Sequence, residues 1–379
     1  MRLDVYVPVL AALLFGVAIR PLSRLWTPRA GARLLVCAGL VSASCWVWAL
    51  GLLGWTLLGQ IPTVARYGEW SVSVLHSVDP VDPAVAFAAI AILLSLTVLV
   101  AITTVRRTRA LLRSCALARS LAPAARGDLI VLPDDAVEAF ALPAFALPAF
   151  ALPAFALPGF ALPAFALPAF TVPVFFRRLL TSSSRPRPTG PRTTDPGRRR
   201  LVQRRSRGGG SVGAGHVVVT SGMLRALDPD ERRALFAHER AHLLGHDHWW
   251  LLTAQFSAAV NPLLSRLPAT VDYLLERAAD EHAAEVVGER RLAARALAKA
   301  GLAVLRQSPT EIGLSRGLAL GYGTSAVSAR VAALLDPPPR FRRSAVVLLA
   351  VAAAVVLGCA IDAGHDVERL FELAMLGPR

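Results

Sequence analysis

Leu34 to Leu58 and Pro83 to Val105 contain no charged residue. As helices, both are long enough to cross a hydrocarbon core of ~30 Å. A third stretch, Ser344 to Ile361, holds eighteen apolar or small residues behind Arg340, Arg342 and Arg343. Val5 to Ile19 is shorter, at 15 residues, with Asp4 and Arg20 at its ends. Snorkelling of those end residues and slight thinning of the bilayer make it a further span. A signal peptide is the rival reading there, but Met1 to Asp4 carries no net side-chain charge. About four transmembrane helices are therefore predicted, at 5–19, 34–58, 83–105 and 344–361.

Arginines in short loops set the orientation, because such loops are retained on the cytoplasmic side. Arg20, Arg24, Arg29 and Arg33 lie between the first two spans with no acid among them. Residues 65–82 carry Arg66 against Glu69, Asp79 and Asp82, while Arg106, Arg107, Arg109, Arg113 and Arg119 follow the third span. The tail at 362–379 holds Asp362, Asp366, Glu368 and Glu372. Every loop favours a cell-membrane protein whose N-terminus, 65–82 and tail face outward, with 106–343 in the cytoplasm.

Residues 139–176 are also uncharged, yet they repeat Phe-Ala-Leu-Pro-Ala, with prolines at 143, 148, 153, 158, 163, 168 and 173. Each proline removes a backbone donor and clashes with the preceding turn, so a membrane helix is excluded. The formal charge of +15 has a local origin, since residues 177–207 hold eleven arginines and one acid, Asp195. A general nucleic-acid surface is thus not indicated, and no direct nucleic-acid binding is expected. We read 139–211 as a disordered low-complexity insert, with peripheral attachment to anionic lipid as the alternative. Four scattered cysteines without a Cys-x-x-Cys pair suggest no disulfide framework.

The chemistry lies at Leu227-Asp-Pro-Asp-Glu-Arg-Arg-Ala-Leu-Phe-Ala-His-Glu-Arg-Ala-His242. Asp228 as N-cap, Pro229 in the first turn and Glu231 closing a capping box predict a helix start. Within it, His238 and His242 are four apart and share a face, the spacing that lets two imidazoles bind one zinc ion. Glu239, one step round, is placed to take a proton from an attacking water. Two residues compete for the third ligand position. His248 completes the string His238-Glu239-x-x-His242-x-x-Gly245-x-x-His248, but that class needs a Met-turn, and the only methionine downstream is Met375 in the tail. Glu276, in Glu276-Arg-Ala-Ala-Asp280, is preferred. A helix over Val271 to Val287, stopped by Gly288, puts Glu276 and Asp280 on one face, with Asp280 able to hold the far nitrogen of a ligating histidine. His246, His248, Tyr273, Arg277 and His282 are all candidates for stabilising an oxyanion.

The two motifs, together with Val217-Val-Val-Thr-Ser-Gly222 and the Leu227-Asp-Pro-Asp-Glu-Arg-Arg run, resemble the BlaR/MecR-type membrane zinc peptidases. More distantly they are similar to the prenyl-protein and heat-shock membrane proteases. The resemblance implies a gluzincin-type site among transmembrane helices on the cytoplasmic side. It also implies Val217 to Thr220 as the edge strand that pairs with substrate, and a cytoplasmic repressor as the protein cleaved. The 18-residue tail leaves no room for a β-lactam sensor domain, so none is expected.

The expected fold is mainly α, a multi-span membrane protein with a zincin-type α+β peptidase domain. That domain starts at 106–138, is interrupted by 139–211 and has its core at 212–336. The expected function is that of a zinc-dependent endopeptidase acting on a protein or peptide at the lipid bilayer. A catalytically idle receptor or scaffold that retains the motif is the alternative, and Glu239→Ala separates the two.

Overall fold

A computed structural model of the chain describes residues 3–78, 81–121, 123, 125, 127–142, 215–306, 324–338 and 340–376. The repeat beyond Leu142 and the arginine-rich stretch, read in the sequence as a disordered insert, lie outside the described residues. The elements in chain order are α1 (Val7–Ser23), α2 (Pro28–Gly59), α3 (Pro62–Gly68), α4 (Val72–Val78), α5 (Pro83–Leu121), β1 (Leu129–Leu132), β2 (Ala139–Leu142) and β3 (His216–Thr220). They continue with α6 (Ser221–Ala226), α7 (Pro229–Gly245), α8 (Asp247–Val260), α9 (Leu267–Val287), α10 (Arg290–Leu305), α11 (Thr324–Leu335) and α12 (Arg343–Leu376).

Four helical stretches are long and apolar enough to cross a membrane: Asp4–Ser23, Pro28–Gly59, Pro83–Leu121 and Arg343–Leu376. Large apolar side chains are exposed along them, including Leu14 and Val17 on α1, Leu94 and Val98 on α5, and Leu348 and Val351 on α12. In water such a surface would be costly, whereas facing lipid it needs no cover. The long helix α2 is the hub, packing against α1, α5, α12, α8 and α9. Trp48 on α2 donates to the Ala360 carbonyl of α12 at 2.8 Å. On α1, Gly16 lets the chain approach the Leu263 carbonyl so closely that a Cβ would sit 2.3 Å from its oxygen. Helix α1 and the segment that follows α8 are therefore packed backbone to backbone at this point.

Two helices outrun the apolar stretches that announce them. The third continues past Val105 to Leu121, where Leu117, Ala118 and Leu121 pack on Ile130, Phe140, Leu142 and Val218 of the sheet. The fourth continues past Ile361 to Leu376. Residues read in the sequence as a tail thus form an amphipathic helix, with Ala363, Val367, Leu370, Phe371 and Ala374 buried. Their spacing of four, three, one and three is that of a single helical stripe.

The sheet has the order β1-β3-β2, with β1 parallel and β2 antiparallel to β3. Val217 to Thr220 is therefore central, not the edge strand that the resemblance implied. The physical reason is in the run itself: Val217, Val218 and Val219 are each at most 1% exposed, so both faces are covered, and a strand buried on both faces reads as a continuous apolar run. The two edges beside β3 are β1 and β2, the latter formed by Ala139-Phe-Ala-Leu142, the first unit of the repeat. These four residues, expected from the sequence to belong to the disordered insert, are instead part of the sheet. Phe140 and Leu142 are buried, which gives this unit an apolar face to pack.

Candidate metal centre

Helix α7 begins as its sequence dictates. The Asp228 carboxylate accepts from the backbone N–H groups of Asp230 and Glu231, Glu231 accepts from the Asp228 N–H, and Pro229 occupies the first turn. Glu231 is fully buried, yet its charge is matched by Arg295 at 2.9 Å and Lys299 at 2.6 Å, both on α10. This fixes α7 against α10 at one end. Along α9, the partner helix, the chain runs from Leu267 to Gly288, whose φ of 79° supplies the left-handed stop.

Where these helices pack, His238, His242 and Glu276 converge, each offering one ligand atom. The Nε2 atoms of the two histidines are 3.3 Å apart, and the Glu276 carboxylate lies 3.5 Å from His242 Nε2 and 3.6 Å from His238 Nε2. The 3.3 Å between the two Nε2 atoms is close to the edge of a tetrahedron with metal–ligand bonds of ~2.1 Å, which is ~3.4 Å, and each imidazole has one oxygen of Glu276 at a similar distance. Glu239 is 2% exposed, and its Oε1 has no hydrogen-bond partner. An unmatched buried carboxylate beside three converged ligand atoms fits a zinc site with an activated-water chemistry.

Both imidazoles are held from behind. His238 Nδ1 is 3.1 Å from Asp280 Oδ1, and His242 Nδ1 is 2.9 Å from Asp247 Oδ2. Each ring is thereby turned so that Nε2 faces the converged carboxylate, the arrangement that orients a metal-binding histidine. Burial alone would lower the histidine pKa values. The carboxylates outweigh it, so that His238 is pushed up to about 10 by Asp280 and Glu276, and His242 is raised chiefly by Asp247. Glu276 moves the opposite way: burial would raise it, but its histidine neighbours and Arg330 hold it well below the usual carboxylate range. Burial pushes Glu239 up.

Arg330, on α11, completes the cluster. Its Nε and Nη2 donate to Asp280 at 2.7 and 2.6 Å, and its Nη1 lies 2.7 Å from Glu276. Asp280 is kept ionised against burial by Arg330 and His238. Neither Arg330 nor Asp247 was singled out in the sequence. Arg330 had a signal, being the one charge in the otherwise uncharged Thr324–Leu335 helix. Asp247 had none, because it enters the site only through the turn at His246, whose φ of 52° sends the chain back under the end of α7.

The other residues considered in the sequence are placed elsewhere. His248 lies on α8 with its ring 5.2 Å from that of Trp249, and burial followed by the charge of His246 depresses its pKa to about 4. Among the described residues, it is not in the converged ligand group. Arg277 is turned to Glu281 at 3.0 Å, and His246 caps the end of α7. From His238 and Glu239, a cavity of about 820 Å³ extends between α10, α11 and the residues leading into β2. Ala234, Ala296, Leu297, Ala300 and Val331 dominate its wall, so the space beside the polar cluster is apolar.

Two histidines and a converging carboxylate are thus grouped where they could hold a metal ion, beside a buried glutamate whose Oε1 lacks a hydrogen-bond partner. Residues 208–264 match the family model Peptidase family M48, a stretch that includes β3, α6, α7 and α8. The match supports a zinc metallopeptidase. No curated protein and no solved structure matches the chain.

Because Asp247 is buried against His242, Asp247→Asn is expected to weaken zinc binding ~10–100-fold, the usual effect of losing such an orienting partner. Competition with a chromogenic chelator measures this directly, and an unchanged affinity would deny Asp247 that role.

Proposed function

We propose that the chain is an integral-membrane zinc endopeptidase with its site on the cytoplasmic side. The observation that carries this reading is the convergence of His238, His242 and Glu276 beside Glu239, whose Oε1 lacks a hydrogen-bond partner, with His238 and Glu239 also lining an apolar cavity. His238, His242 and Glu276 would hold the zinc, which supplies Lewis acidity toward a scissile carbonyl and toward water. Glu239 takes the proton of the attacking water and returns it to the leaving nitrogen, and the upward push of burial on its carboxyl suits this exchange. Asp280 and Asp247 keep the two imidazoles in register, and Arg330 holds Glu276 and Asp280 in place. The apolar wall receives substrate side chains and excludes bulk water.

The arginine distribution supports the cytoplasmic placement, and the likeness to BlaR/MecR-type peptidases supports a cytoplasmic or membrane-proximal protein, such as a transcriptional repressor, as substrate. The test compares protein fragments in cells carrying the intact chain or Glu239→Ala. Fragments present only with the intact chain are expected. Identical fragment sets would favour the idle receptor, and labelling of a tag near residue 226 from outside sealed cells would overturn the orientation.

A further inference from the structure

The second histidine of the centre is held by a chain of contacts that ends in a membrane helix. Helix α7 stops at Gly245, His246 reverses the chain in the left-handed region, and Asp247 opens α8. The reversal folds Asp247, only 2% exposed, back beneath the last turn of α7, where it meets His242. Arg29 comes to the same place from the first turn of α2. Its Nη2 donates to the backbone carbonyl of Ala241 at 3.0 Å and stands 3.8 Å from Asp247 Oδ2. Gly245 leaves the room for this: a Cβ there would lie 2.3 Å from Asp247 Oδ1 and 2.8 Å from Arg29 Nη2.

We infer that Arg29 is a positioning residue of the metal centre, one that reaches it from a membrane helix. This rests on the reading of His238, His242 and Glu276 as zinc ligands. Arg29 grips two things that decide where the His242 ring points. One is the backbone of the residue immediately before His242, near the negative end of the α7 dipole. The other is the carboxylate that accepts from His242 Nδ1. Asp247 is a buried charge whose Oδ2 meets His242 Nδ1 at 2.9 Å and Arg29 Nη2 at the longer 3.8 Å, so the imidazole keeps the hydrogen bond while the guanidinium balances the charge. Arg33, one turn further along α2, also feels the charge of Asp247, but its guanidinium lies over the Trp250 ring at 5.5 Å, whereas the hydrogen bond to the Ala241 carbonyl comes from Arg29. A rotation or shift of α2 in the bilayer is thereby felt at a ligand of the metal, which gives a membrane event a physical route to the site.

The test uses the full chain in detergent, with Arg29→Met, Asp247→Asn and the double variant. Zinc affinity is read by chelator competition, and ligand geometry by the visible spectrum of the cobalt-loaded protein. Arg29→Met is expected to bind zinc ~10-fold more weakly, the low end for an outer partner, and to shift the cobalt bands. If Arg29 acts through Asp247, the double variant will match Asp247→Asn to within about twofold, the signature of two residues in one network. Unchanged affinity and spectrum in Arg29→Met would overturn the inference, as would losses that simply add in the double variant, which would mark Arg29 as a general prop of helix packing. Failure of the intact chain to bind zinc would instead overturn the underlying reading of the site.

Discussion

Glu239→Gln is expected to retain zinc and to lose hydrolysis by ~10²–10⁴-fold, the range that general acid–base catalysis contributes. The substitution is nearly isosteric, and the side chain is not one of the three converged ligands, so little else in the site should move. It removes the group that can accept a proton. The expected kinetic form is a fall in kcat with little change in KM, because the apolar side chains that line the cavity are untouched. Purified protein, a peptide substrate identified from the cellular fragments and a zinc assay on the same sample provide the measurement. Substantial turnover by the Gln variant would remove Glu239 from the chemistry, whereas loss of zinc would make it a structural member of the site.

Glu276→Gln is expected to have its largest effect on the metal. The carboxylate lies within 3.6 Å of both imidazole Nε2 atoms, and it is held ionised by those histidines and by Arg330. An amide of the same size offers a weak neutral oxygen in place of an anion. Loss of zinc affinity beyond ~100-fold, the upper end for outer partners, is the expected outcome. His248→Ala should leave zinc bound, since that ring lies on α8 among aromatic neighbours. The reverse pattern, zinc retained in Glu276→Gln and lost in His248→Ala, would place the third ligand at His248.

The parts of this fold that were legible in the sequence are those written in local chemistry. Uncharged runs bounded by arginines announce four apolar helices, because bilayer length and helical rise fix the number of residues needed. Asp228, Pro229 and Glu231 announce the start of α7, because capping satisfies donors within one turn. The spacings of His238 with His242 and of Glu276 with Asp280 announce faces, because the helical repeat is regular. What escaped was set by distance along the chain. Arg330 is 50 residues from the Asp280 it clamps, and Arg29 is 212 residues from the Ala241 carbonyl it grips. The extension of α12 beyond Ile361 was missed for another reason: charges at Asp362, Asp366 and Glu368 interrupt the apolar run, while Ala363, Val367 and Leu370 keep the helical stripe going.

The pairing of Leu142 with His216 has a consequence for how this chain can change over generations. The last residue of β2 and the first of β3 stand side by side, so the intervening polypeptide leaves and rejoins the sheet at neighbouring points, whatever its length. Closing a loop becomes costlier only with the logarithm of its size, about 0.6 kcal/mol per doubling. Copies of the five-residue unit can therefore be gained or lost, as short tandem sequences are prone to do, with the strand register unaltered. The sheet beside the candidate site is thereby insulated from growth of the repeat.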